Sequence, residues 1–194
     1  MTLSAVTNLG TPGATTPSRY YYNGDLNLSG STGIVNINGP VILYINGDLI
    51  MDGGTPNSLM TINSSASAEI HVASSLTINI NSDGINNTTQ DPRKLIIICD
   101  CSDTSPQNYS DGTSKVYGVI YMPNTTNSNG LLIDNSNVGF FGALSANKIT
   151  YSGADMNIHY DTSLRYATFG GVEQPYIIAG WRELTDPAEK VPLP

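Results

Sequence analysis

Tyr22-Asn23-Gly24-Asp25-Leu26-Asn27-Leu28-Ser29-Gly30 recurs as Ile45-Asn46-Gly47-Asp48-Leu49-Ile50-Met51-Asp52-Gly53, 23 residues further on. In each copy an Asn-Gly pair, which tolerates the backbone angles of a tight corner, precedes apolar residues that alternate with polar ones. Leu26 and Leu28, then Leu49 and Met51, therefore share one face of a strand. A worn third copy follows at Val72-Ala73-Ser74-Ser75-Leu76-Thr77-Ile78, where the leucine and the apolar residue two places later persist. Tyr117-Gly118-Val119-Ile120-Tyr121-Met122 returns as Phe141-Gly142-Ala143-Leu144-Ser145-Ala146, a shift of 24. Self-similarity at this period is the signature of a solenoid.

Between the first two copies lie Ile34-Val35-Asn36-Ile37-Asn38 and Val41-Ile42-Leu43-Tyr44-Ile45, each short and bounded by Gly or Pro. About three short strands thus fill each repeat. The fold class is all-β: a single parallel β-helix, right-handed because left-handed coils use shorter units, with a repeat of roughly 23 residues. An antiparallel sandwich also has short strands, but it does not by itself generate a repeated motif. The expected organisation is a linker or N-terminal cap over 1–19, the β-helix over 20–165, and a C-terminal cap and tail over 166–194, where Gln174 to Leu184 reads as a strand and turn sealing one end. Two polar, turn-rich stretches, Asn81 to Lys94 and Asp100 to Lys115, read as loops leaving the solenoid, and loops on a rigid scaffold commonly carry binding.

Composition excludes several partners. The chain has 194 residues, 12% of them charged, with 20 Asn, 19 Gly and a net charge of −8. Its eight basic residues are scattered, so neither nucleic acid nor an anionic membrane surface finds a cluster to bind. No stretch approaches the roughly 20 apolar residues of a transmembrane helix, so no membrane insertion is expected. Met1-Thr2-Leu3-Ser4-Ala5-Val6 lacks the basic start and apolar core of a signal peptide, so if the protein is exported, as its low charge, abundant Ser, Thr and Asn and acidic balance lean, this is a mature or truncated form.

The reactive side chains admit ordinary readings. Cys99 and Cys101 flank Asp100 in a strand-like run; residues two apart on a strand lie nearly 7 Å apart, too far for an unstrained disulfide. Two small buried thiols fit best, and no second pair completes a zinc site. His159-Tyr160-Asp161 reads either as an acid/base pair or as a hydrogen-bonded group at the last coil. His71 projects outward from a strand in which Ile70 and Val72 face in. Asp25 and Asp48 stack one coil apart and either bind calcium or tie off turn amides; the double-glycine calcium repeat is absent, which favours the amides. Polysaccharide-cleaving β-helices need paired carboxylates across a cleft, and none is nominated. Thr61, Thr77 and Thr150 are not in register for an ice-binding face. No catalytic residue, metal ligand or cofactor is expected.

The set Tyr117-Gly118-Val119-Ile120-Tyr121-Met122-Pro123-Asn124, Phe141-Gly142-Ala143-Leu144, Ile149-Thr150-Tyr151-Ser152-Gly153 and His159-Tyr160-Asp161-Thr162-Ser163-Leu164 resembles the C-terminal β-helical region of large bacterial pilin-like surface proteins, related to PilX-type pilus-assembly proteins. The ending Trp181-Arg182-Glu183 is similar to theirs, and the resemblance spans roughly residues 20–184. Polymerising bactofilin solenoids are similar too, but lack this closing triplet. The resemblance implies a bacterial extracellular or envelope location, a distal domain without its hydrophobic N-terminal anchor, and no chemistry.

The expected function is a non-enzymatic, pilus- or cell-surface-associated β-helix presenting loops for adhesion or assembly, with a surface polysaccharide or a protein as partner. Ligand contact is expected at Tyr117, Tyr121, His159, Tyr160 and Asp161. One alternative is a carbohydrate-binding or carbohydrate-active β-helix with a tyrosine-rich face (Tyr20, Tyr21, Tyr22, Tyr44, Tyr117, Tyr121), since aromatic faces stack sugars. The other is a self-assembling filament protein.

Overall fold

A computed structural model of the chain describes residues 6–29, 33–53, 59–80, 84–100, 107–111, 115–125, 130–133, 139–152 and 157–166. The strands run in chain order as β1 Val6–Leu9, β2 Ser18–Tyr22, β3 Leu26–Ser29, β4 Ile34–Ile37, β5 Pro40–Ile45, β6 Leu49–Gly53, β7 Met60–Ile62, β8 Ser67–Val72 and β9 Leu76–Ile80. They continue as β10 Ile85–Asn87, β11 Leu95–Cys99, β12 Gln107–Asp111, β13 Val116–Met122, β14 Leu131–Ile133, β15 Gly139–Ala146, β16 Ile149–Tyr151 and β17 Asn157–Tyr160. Short 3₁₀ turns cover Pro92–Lys94 and Thr162–Tyr166. Among the described residues, no helix is long and apolar enough to cross a membrane.

Three parallel sheets form the walls of the solenoid. One has four strands (β1-β4-β7-β10), one seven (β2-β5-β8-β11-β13-β15-β17) and one six (β3-β6-β9-β12-β14-β16). Each of the first four coils gives one strand to each sheet; from β13 onward the described strands join only the larger two. The sequence repeat is the ladder register itself. Leu26 lies opposite Leu49 and Leu28 opposite Met51; Leu49 then lies opposite Leu76 and Met51 opposite Ile78. The later repeat pairs Tyr117 with Phe141 and Met122 with Ala146. The alternating apolar side chains of the Leu26–Leu49–Leu76 and Leu28–Met51–Ile78 columns stack along the axis into one core, with Leu28, Leu49, Met51 and Leu76 fully buried.

The Asn-Gly-Asp-Leu corners also stack. Asn46 donates its side-chain amide to Asn23 at 3.0 Å, and the Asp48 backbone N–H donates to the Asp25 carboxylate at 3.0 Å. Asp25 thus ties off an amide of the next coil. A Cβ on Gly47 would sit 2.6 Å from the Gly24 backbone, so the close approach of the two corners demands glycine at the second. A second corner repeats the device: Asn63 donates to Asn38 at 2.5 Å, and Asn38 to Asn8 at 3.2 Å. The abundance of Asn comes from these ladders as well as from turns.

Three expectations change. First, Val6–Leu9 pairs with β4 and Ser18–Tyr22 with β5, so rungs of the solenoid already lie within residues 1–19. Second, the described part of Asn81 to Lys94, residues 84–94, stays with the coil. It holds β10, and Ile85, Asn87 and Pro92 are all buried. Third, Asp100 to Lys115 contains β12, whose Gln107 and Tyr109 are fully buried. Polar residues hide these rungs because each is satisfied inside. Asn87 Nδ2 donates to the carbonyls of Asp91 and Tyr117, both at 2.9 Å, and Gln107 Oε1 accepts from the Leu76 amide at 2.5 Å. Asn87→Ala is expected to cost about 2 kcal/mol, because two buried carbonyls lose their donor. Urea unfolding followed by circular dichroism measures it, and an unchanged midpoint would show those bonds to be dispensable.

Cys99 is buried with its Sγ 3.9 Å from Gln107 Oε1, an inward position that agrees with the structural reading; Cys101 lies outside the described residues. The last described rung is exposed. Ile149, Tyr151, Ile158 and Tyr160 are 43–52% exposed, although Leu131, Ile133 and Phe140 beneath them are buried. Apart from Tyr166, the expected cap and tail over 166–194 lie outside the described residues.

Candidate functional site

Strand alternation divides the seven-stranded sheet into inward and outward columns. Tyr20, Leu43, Ile70, Ile97 and Ile120 form one inward column. Tyr21, Tyr44, His71, Ile98 and Tyr121 form the adjacent outward one, in register over five successive strands. The Tyr21 and Tyr44 rings stack at 4.9 Å and 9°, and Tyr44 and His71 at 4.7 Å and 19°. Rings stacked along the axis cover one another's faces and turn their polar edges outward. Tyr21, on the edge strand, is 76% exposed. Arg19 donates to the Tyr44 hydroxyl at 3.2 Å, and His71 Nε2 lies 2.7 Å from Glu69 Oε1, which fixes both rings.

Beside this column runs a groove lined by Tyr21, Tyr44, His71, Ile98 and the corner residues Asn23, Asn46, Ala73 and Asp100. The corner residues are held in axial order by backbone bonds: Asn46 N–H to Tyr22 C=O, Ala73 N–H to Ile45 C=O and Asp100 N–H to Val72 C=O, at 2.8–3.0 Å. Asn124 donates its side-chain amide to the Asp100 carboxylate.

The five expected ligand contacts do not converge. Tyr117 and His159 belong to one outward column with Phe141 between them; the rings stack at 4.8 Å and 4.5 Å, and the Lys115 ammonium lies 5.8 Å from the Phe141 centroid. Tyr121 stands in the other outward column, four residues along β13. Tyr160 pairs with Gly142 in an inward column and is exposed only because its rung is the last described. Asp161 Oδ1 accepts the Ser163 amide at 2.8 Å, capping the 3₁₀ turn Thr162–Tyr166. That turn lays Leu164 on the outer side of the same sheet, against Ile96 and Val119. The structural reading of His159-Tyr160-Asp161 therefore accounts for Asp161. Of the six face tyrosines, Tyr20 and Tyr22 turn inward and pack against the core.

Phe141, His71, Ala73 and Asp100 were not among the expected contacts. For His71 the signal was register: successive members of the Tyr21 column are separated by 23, 27, 27 and 23 residues. No group of three His, Cys, Asp or Glu that could hold a metal ion occurs among the described residues. The resolved protonation shifts belong to a surface turn: Arg93 bonds Asp91 at 2.8–3.2 Å and holds its carboxyl below the usual range, and Asp91 raises the guanidinium in return.

No curated protein and no solved structure matches the chain. A family model described as "Domain of unknown function (DUF7305)" matches residues 4–167, a span that takes in all the described strands, and the chain belongs to that family.

Proposed function

We propose that this chain is a non-enzymatic β-solenoid of the bacterial envelope or exterior, associated with a pilus or the cell surface, that engages a partner for adhesion or assembly. The observation that carries the reading is the outward column Tyr21, Tyr44, His71, Ile98 and Tyr121, lying on a scaffold fixed by a continuous core. Large side chains that combine apolar area with a polar edge are favoured at recognition surfaces. The partner surface is placed on this sheet face rather than on the loops first expected, because β10 and β12 within those segments supply rungs of the coil. The similarity of the Tyr117–Asn124 and His159–Leu164 motifs to pilin-like surface proteins supports the location.

Tyr21→Ser with Tyr121→Ser tests the reading. Both rings are largely solvent-exposed, so the melting temperature should hold while binding of the purified domain to cells of the producing bacterium weakens about tenfold or more. Binding equal to wild type would remove the sheet face from the mechanism.

A further inference from the structure

The groove beside the Tyr21 column carries one step more. Its corner ladder reads Asn23, Asn46, Ala73 and Asp100 from coil to coil, so a methyl group stands where its neighbours carry polar side chains. The shortened rung opens a slot with Asn46 on one side, Asp100 on the other and Ala73 at its base. Adjacent rungs are about 4.8 Å apart, so Asn46 and Asp100, two rungs apart, stand roughly 9.6 Å apart, or roughly 6 Å between atomic surfaces. The long wall is the column of Tyr44, His71 and Ile98.

We propose that this slot holds one neutral sugar residue of a surface glycan, an inference that rests on the adhesion reading above and names its ligand class. The chemistry on its walls matches a pyranose. The Asp100 carboxylate takes one amide from Asn124 and has acceptor capacity left for hydroxyl groups. Asn46, which donates one side-chain N–H to Asn23, keeps its second N–H for a ligand oxygen, and the Tyr44 hydroxyl, which accepts from Arg19, keeps its proton to donate. Ile98 and the ring edges offer apolar contact to C–H groups. Charge selects among sugars: Asp100 is the acidic residue of the lining, the guanidinium of Arg19 is engaged by the Tyr44 hydroxyl behind the wall, and the chain carries −8. An anionic sugar would meet the Asp100 carboxylate at close range.

Affinity electrophoresis of the full chain through gels containing mannan, galactan or glucan, with polygalacturonate and heparin as acidic comparators, tests the proposal. Retardation by at least one neutral polymer is expected, weakened tenfold or more by Ala73→Leu, which fills the slot, and weakened by Asp100→Asn. Thermal melts confirm that the variants fold. No retardation by any neutral polymer, equal retardation by the acidic ones, or an Ala73→Leu protein that binds like wild type each overturns it. If Ala73→Leu still adheres to cells while Tyr21→Ser with Tyr121→Ser does not, the sugar slot falls and the adhesion reading stands.

Discussion

Gly142→Ala should destabilise the later coils by about 3–5 kcal/mol, among the largest effects of any single methyl in this chain. Gly142 has φ +144°, a backbone conformation that L side chains rarely adopt, and an added Cβ would lie 1.8 Å from the Gly118 carbonyl oxygen and 3.1 Å from Pro92 Cβ. The first obstacle is backbone hydrogen-bonded into the sheet, so it cannot swing aside. Gly118 and Gly142 face each other in adjacent strands on an inward column, and the space their missing side chains leave is filled by Leu95 and Pro92. The 3₁₀ turn Pro92–Lys94 thus bends into the wall because two successive coils yield room for it. Gly13→Ala serves as the control. Its φ is +75° but nothing lies within 4 Å, so it carries the conformational cost alone, about 1–3 kcal/mol. Thermal and urea unfolding of the two variants separates close approach from backbone preference. Equal losses would show that the Gly118–Gly142 contact relaxes without cost.

The glycine shows how the sequence could be read and where the reading stopped. Tyr117-Gly118 returning as Phe141-Gly142 announced that these residues stack, and the 23-residue return of Asn-Gly-Asp-Leu announced the same for the corners; both offsets are ladder registers. Periodicity failed where polar side chains occupy core positions. Asn87 and Gln107 break the apolar alternation yet are buried, because each bonds backbone groups inside the coil, and short strands around them resemble loops. Offsets that stretch from 23 to 27 residues across Tyr44–His71 and His71–Ile98 hid the outward column, since turns of different length shift each copy. Face assignment was legible but misapplied. Tyr20, Tyr21 and Tyr22 are consecutive on one strand, so alternation alone forbids all three from sharing a surface. Ala73 gave no signal at all, because its importance lies in what its neighbours one coil away possess.

Phe140→Ala should cost about 3–5 kcal/mol, the range for removing a buried aromatic ring. Phe140 is fully buried on β15 of the seven-stranded sheet and meets Tyr109, on β12 of the six-stranded sheet, edge to face at 5.9 Å and 84°. The pair spans the interior from wall to wall. In the earlier coils Leu, Ile, Val and Met from three walls do this work, and truncating one removes fewer contacts. At about 2–4 °C per kcal/mol for a domain of this length, the melting temperature should fall by roughly 6–20 °C. Coils contact chiefly their neighbours, so the loss should separate unfolding into two steps, with β13–β17 melting before the first coils. Phe140→Leu, which keeps most of the volume, should cost about 1.5 kcal/mol or less. Near-ultraviolet circular dichroism, sensitive to the packing of Tyr109, follows the first step, and far-ultraviolet signal follows the whole. A single transition at the wild-type midpoint would mean that the two sheets hold together without the ring pair.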